Sequence, residues 1–352
     1  MKKNLSVVFL LLGTIIGAGF CSGKEICVYF AKFGFSSLFF LPMFFFIYYF
    51  LFKTFLNLGR AQDYPDFSAF NKKYGKSAFF DVVLLFTYVI FSSAMFACIG
   101  EMGDLYFGST IKYIILAVTF AFCVFMLKKS FDKLKLVNFI LIPIVLIVIV
   151  LVCVLSFFNT EKTITFAIVK NGWMLFFTPV IYACQGLTLS YYILIKAGNG
   201  LEKKSANTIS LLSAGILTLV MALAIIVFNL HPSVLSEPLP FVLLTFKLGF
   251  PFDLIYAPIM FFAIITTLLS STRALYDYLA KYIQKPILRA LVVCIVTLAL
   301  SFCGFDKIVE SLYPLVGCMG LVIILKILFA DKKSQKSEIL SKNRFLDKEK
   351  LL

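Results

Sequence analysis

Apolar residues run through this chain in blocks long enough to cross a hydrocarbon core of about 30 Å, and short polar, basic or proline-containing joints separate them. Ten blocks stand out: Leu5 to Ala31, Ser37 to Leu58, Ala78 to Gly100, Ile111 to Leu127, Leu134 to Phe158, Trp173 to Ile195, Thr208 to Leu230, Pro251 to Leu279, Ile287 to Cys303 and Ile308 to Phe329. Their apolar residues are near-continuous rather than alternating, which predicts spanning helices and not barrel strands. The expected fold is an all-α polytopic membrane protein with one transmembrane domain over residues 1–330 and a tail over 331–352.

Two blocks carry interruptions. The first holds Gly13, Gly17, Gly19 and Gly23 within Gly13-Thr14-Ile15-Ile16-Gly17-Ala18-Gly19-Phe20-Cys21-Ser22-Gly23-Lys24-Glu25. Each glycine costs about 1 kcal/mol of helix propensity against alanine. Unwound backbone at membrane depth is tolerated only where protein buries it or a cavity needs it, so the segment is expected to form half of a substrate site. In the sixth block, Thr178-Pro179-Val180-Ile181-Tyr182-Ala183-Cys184-Gln185-Gly186-Leu187-Thr188 joins a proline, a glycine and polar side chains. Interrupted helices 1 and 6, five blocks apart, predict a 5+5 inverted repeat covering about 5–158 and 171–329. Two ordinary kinked helices are the plain alternative, because Gly and Pro are frequent in membrane helices.

Composition agrees with the pattern: of 352 residues 61% are hydrophobic and 14% charged. The net charge of +15 changes the picture only through its placement. With the amino terminus inside, seven of the 33 Lys and Arg (Lys24, Lys32, Lys112, Lys162, Lys170, Lys247 and Lys307) fall outside. The positive-inside rule then puts both termini in the cytoplasm and the chain in the cytoplasmic membrane, its basic surface facing lipid headgroups and not nucleic acid. The Lys2-Lys3 start lacks a convincing cleavage site after it, so the first block is expected to stay in the mature protein. Nine scattered cysteines show no metal or redox spacing and read as buried free thiols. His231, before Pro232, reads as a loop residue. Gly59 to Ser77 is expected on the membrane surface, Phe241 to Leu244 in a short lid-like helix, and Asp331 to Leu352 as a disordered tail or surface helix.

The pattern Gly13-x-x-x-Gly17-Ala18-Gly19-Phe20-x-Ser22-Gly23-Lys24-Glu25 resembles the start of the YkvI-like membrane proteins. These are similar to the amino acid–polyamine–organocation superfamily with its leucine-transporter-type fold. The resemblance implies a sodium site like that of sodium-coupled relatives. There the ion lies between carbonyls of the unwound first helix, here Gly13 and Ile16, and an eighth-helix turn matched by Ala263, Thr266 and Thr267. Positions i, i+3 and i+4 share one helix face. Threonines that merely bond their own preceding carbonyls are the plain alternative. Proton coupling through a fifth-helix lysine is less favoured, because Lys133 and Lys135 lie only at that block's end.

For a solute, amides at Gly17, Ala18 and Gly19 would face a carboxylate at a helix N-terminus. Tyr88 would donate to the same group. Carbonyls near Tyr182 and Ala183 would accept from an ammonium, and Gln185 would read the side chain. Glu25 suits either a structural ion pair or a gating and coupling role. Arg273 is a second gating candidate, and Glu101, Asp104 and Asp253 read as interfacial. No catalytic constellation is present, and no cofactor beyond a coupling sodium ion is expected. The functional expectation is a secondary transporter of a small zwitterionic or amine solute, an amino acid foremost, by alternating access. The alternative is a non-transporting amino acid sensor similar to spore germinant receptor subunits.

Overall fold

The computed structural model describes residues 2–61, 78–128, 134–160 and 172–330. The first apolar block is three helical pieces: α1 (Lys2–Ile15), α2 (Ala18–Ser22) and α3 (Lys24–Tyr29). A 3-10 segment, Ala31–Phe40, leads into α4 (Leu41–Ala61). Then follow α5 (Ala78–Phe107), α6 (Ser109–Met126), α7 (Leu134–Phe158), α8 (Thr178–Gly198), α9 (Lys203–Leu230), α10 (Pro240–Leu248), α11 (Phe252–Tyr278), α12 (Pro286–Ser301) and α13 (Phe305–Ala330). Eight helices among the described residues are long and apolar enough to cross a membrane, and Asn4–Ile15 and Pro286–Ser301 are shorter apolar ones.

The ends of the long helices gather on two faces. On the face where α1 begins, Asn4 Nδ2 donates to Ser205 Oγ (3.4 Å) and Arg273 Nη1 to the Leu127 carbonyl (3.2 Å). On the opposite face Tyr106 Oη donates to the Asp253 carbonyl (3.1 Å). There His231 Nε2 donates to the Ser156 carbonyl (3.0 Å), which buries a side chain expected in a loop.

Small residues set the closest crossings, as packing in lipid requires. A Cβ at Gly59 would overlap the Ile195 carbonyl, and one at Gly198 would overlap the Leu56 carbonyl, so α4 and α8 meet backbone to backbone. α13 approaches α8 the same way: a Cβ at Gly317 would strike Ile181, and one at Gly320 would strike Thr188.

The structure corrects the sequence reading in the sixth block, which is not broken at mid-depth. α8 is continuous through Gly186, and Pro179 lies in its first turn, where a proline forfeits no helical hydrogen bond. Gly186 serves close packing instead, facing Ile15 and the Tyr48 hydroxyl. Gly13, expected in the unwound stretch, is still helical and packs against Ile142. Of the nine free thiols seven are buried, whereas Cys303 and Cys318 are exposed on the helix bundle. The surface segment within Gly59 to Ser77 lies outside the described residues from position 62 onward, as do the side chains of Lys133 and Lys135 and the tail Asp331 to Leu352.

Candidate functional site

The first span breaks twice, and each break is satisfied locally. Ile16 N donates to the Leu12 carbonyl (2.7 Å) and Gly17 N to the Ile15 carbonyl (2.9 Å), after which Gly17 is extended and α2 starts over. At the second break Gly23 adopts φ 84°, a left-handed conformation that favours glycine. A Cβ there would also overlap Phe228. Ser22 bridges this break, its Oγ donating to the Gly19 carbonyl (2.7 Å) and accepting from Lys24 N (3.1 Å). Tyr256 on α11 donates to the Cys21 carbonyl (2.5 Å). Tyr256→Phe leaves that carbonyl without its donor and is expected to lower stability by about 1–2 kcal/mol, read as a falling melting temperature with an intact elution profile.

The breaks send Lys24 and Glu25, adjacent in sequence, in different directions. Lys24 is 1% exposed and its Nζ meets Asp306 (2.9 Å) and Glu310 (3.2 Å) at the start of α13. It also donates to the carbonyls of Ser236 and Glu237 (3.3 Å each), in the loop that precedes α10. α10 itself covers the second break, with Phe241 packed on Phe228 and Tyr256.

Glu25 turns inward and is 5% exposed. Its Oε2 accepts from Tyr182 Oη (3.2 Å), and its Oε1 lies where a Cβ on Gly19 would be. Tyr29, one turn after Glu25, donates to Gln185 Oε1 and sets its ring against Tyr182 at 5.1 Å. The Tyr182 ring also neighbours Phe30, Phe44 and Tyr48.

Among the sequence-predicted residues, Gly19, Tyr182, Gln185 and Glu25 therefore surround one region, with Ala183 buried next to Tyr182, whereas Gly17 faces Thr267. Tyr182 contributes its side chain; its carbonyl and that of Ala183 lie in continuous helical turns. Tyr88, on α5, packs partly buried against the core, and no hydrogen bond or ring contact among the described residues joins it to Glu25 or Tyr182. Tyr29, Tyr48 and the Asp306/Glu310 pair escaped the sequence reading. The signals for Tyr29 and for the acidic pair were present, since Glu25 and Tyr29, and Asp306 and Glu310, are spaced i, i+4, which puts each pair on one helix face; nothing local marked Tyr48.

The Ala263, Thr266 and Thr267 turn faces the first break. The nearest atom to a Cβ built on Gly17 is the Thr267 methyl, 3.9 Å away. Both threonine hydroxyls donate to the Ala263 carbonyl, at 3.1 and 2.9 Å, so their oxygens keep lone pairs for a hard cation while the plain hydrogen-bonding role is also met. Arg273 pairs with Asp277 on its own helix (3.0 Å) and donates to the Leu127 carbonyl at the end of α6 (3.2 Å). Glu101 and Asp104 hold Lys112 across the α5–α6 turn at 3.2 and 3.6 Å. Among the described residues no three His, Cys, Asp or Glu side chains cluster as metal ligands.

Apolar crossing helices with a broken first span and buried ionisable side chains define a polytopic α-helical membrane protein. No family model matches the chain. It is 22% identical to the "Uncharacterized membrane protein YkvI" of Bacillus subtilis (strain 168) over 326 residues, 90% of this chain and 93% of that protein. The likeness supports a YkvI-like membrane family.

Proposed function

We propose that this protein is a secondary active transporter that moves a small amine-bearing solute, an amino acid or an organic amine, by alternating access. The observation that carries the reading is the doubly broken first span, whose first break faces Thr267 and whose middle piece α2 seats the Glu25 carboxylate over Gly19 beside Tyr182. Irregular backbone at membrane depth, walled by protein and flanked by polar groups, is where transporters of this architecture hold solutes and ions. The role is non-catalytic.

In this reading the chain crosses the cytoplasmic membrane ten times. The eight long helices are joined by the broken α1–α3 span and by α12, whose 16 residues reach about 24 Å. Both termini are cytoplasmic, and Lys24, α10 and the start of α13 close the outer face. The proposed inverted repeat is asymmetric among the described residues: its first half opens on a span broken at Gly17 and Gly23, its second on a 3-10 turn, Gly172–Phe176, followed by the unbroken α8. Arg273, tied to Asp277 and the end of α6, acts in the inner gate.

Sodium is the proposed coupling ion, held by Gly13 and Ile16 carbonyls, the Ala263 carbonyl and the Thr266 and Thr267 hydroxyls. Thr267→Ala is expected to raise the sodium concentration needed for solute-induced thermal stabilisation by tenfold or more, with expression unchanged; an unaltered sodium requirement removes the ion site. The function itself is tested by counterflow of radiolabelled solute into proteoliposomes. Solute binding without flux would leave a sensor rather than a transporter.

A further inference from the structure

Glu25 is a membrane-buried carboxylate that no lysine or arginine among the described residues reaches within salt-bridge distance. Its sequence neighbour Lys24 is turned away to α13. An ionised carboxylate is expensive to bury without a cation, so a position of this kind points to a charge that arrives with a ligand.

The surroundings fit such a visitor. Tyr182 touches the carboxylate, and Tyr29, Phe30, Phe44 and Tyr48 have ring centroids 5.1, 5.9, 6.0 and 6.5 Å from the Tyr182 ring. Faces of aromatic rings attract ammonium groups, and a carboxylate flanked by several rings is the chemistry that recognises them. The buried hydroxyl of Tyr48, whose ring neighbours Tyr182, has no hydrogen-bond partner among the described residues. Tyr48 Oη lies beside Gly186 on α8, 3.7 Å from where its Cβ would stand.

The same carboxylate also decides against a second anion. Glu25 Oε1 lies over Gly19, on the glycines where the sequence reading seats a solute carboxylate. Two carboxylates in contact in a buried site repel strongly.

We infer that Glu25 is the anionic anchor for the ammonium group of the cargo, that Tyr29, Tyr48 and Tyr182 enclose that group, and that the cargo is an organic amine without an adjacent carboxylate. This rests on the transporter reading and narrows its solute class. The ammonium takes the place of the Tyr182 hydroxyl on the Glu25 carboxylate, and Gly19 keeps the carboxylate seated by offering no Cβ.

The test uses the purified full chain in detergent and matched probes: isoamylamine against leucine, tyramine against tyrosine, and isoamyl alcohol as a neutral control, each in sodium and in potassium. The amines are expected to raise the melting temperature, while their parent amino acids and the alcohol do not. Glu25→Gln keeps a hydrogen-bonding partner for Tyr182 and is expected to match or exceed the wild-type melting temperature without ligand, yet to bind the amine about 100-fold more weakly. If the Gln variant does not fold, Glu25→Asp keeps the charge but withdraws it by a methylene, and should weaken amine binding about tenfold.

Stabilisation by amino acids that survives Glu25→Gln overturns the inference while leaving the transporter reading intact. Amine binding indifferent to residue 25, or no binding of any amine, overturns it as well. Amine binding that needs Glu25 but gives no proteoliposome flux confirms the anchor and rejects transport.

Discussion

Gly198→Val is expected to leave little or no folded protein in detergent. The added Cβ falls onto the Leu56 carbonyl, which is backbone and cannot rotate aside as a side chain would. The reciprocal contact, Gly59 on the Ile195 carbonyl, holds the same crossing from the other helix, so α4 and α8 must separate along the interface to admit the new methyls. Overpacking costs typically about 1–3 kcal/mol where side chains repack, and a backbone collision belongs above that range. Monodispersity on gel filtration and the melting temperature check the expectation. Gly215→Ala is the matched control: it lies within α9, nothing approaches its Cβ position within 4 Å, and alanine gains about 1 kcal/mol of helix propensity. A Gly198→Val variant that melts with the wild type would mean that the α4–α8 crossing is looser than described.

Lys24→Met is the second large effect, and it acts on the face opposite the α1 start. The lysine ammonium joins three elements: α3, the loop at Ser236 and Glu237, and the first turns of α13. Removing one partner of a buried ion pair costs about 3–5 kcal/mol where the other is sealed from water; Asp306 Oδ1 is buried, but the Asp306 and Glu310 side chains are 36% and 54% exposed, so their carboxylates can be partly solvated. The expected loss is therefore about 1–3 kcal/mol. It should come with faster amide hydrogen exchange confined to residues 232–248 and the start of α13. Lys24→Arg should not restore the wild type, because the larger planar guanidinium has to fit a position that is 1% exposed. Loss of stability without that regional change in exchange would show that Lys24 contributes packing alone.

The helical layout was legible because each block is apolar over a whole membrane thickness, a local property that needs no partner to be read. The expected Leu134 to Phe158 span matches α7 to the residue, and Ile111 to Leu127 differs from α6 by one or two residues at each end. The first break was legible for a similar reason, since four closely spaced glycines oppose helix in any context. Pro179 misled, because a proline marks either the inside of a kinked helix or the first turn of a new one, and only the placement of the helix start tells them apart.

The site was half legible. Glu25 and Lys24 announced themselves as charges in an apolar block, but nothing local told where each side chain goes. The left-handed turn at Gly23 sets where α3 begins, and the packing around α3 then sends one side chain to α13 and the other to α8. The sequence by itself determined that this is a helical membrane protein with an interrupted first span, because hydrophobic length and glycine content act within a segment. Which groups meet across segments, Glu25 with Tyr182, Tyr29 with Gln185 and Gly17 with Thr267, was decided only by tertiary structure. Those meetings depend on the close approach of helices that are about 160 to 250 residues apart in the chain, and no local pattern carries that distance.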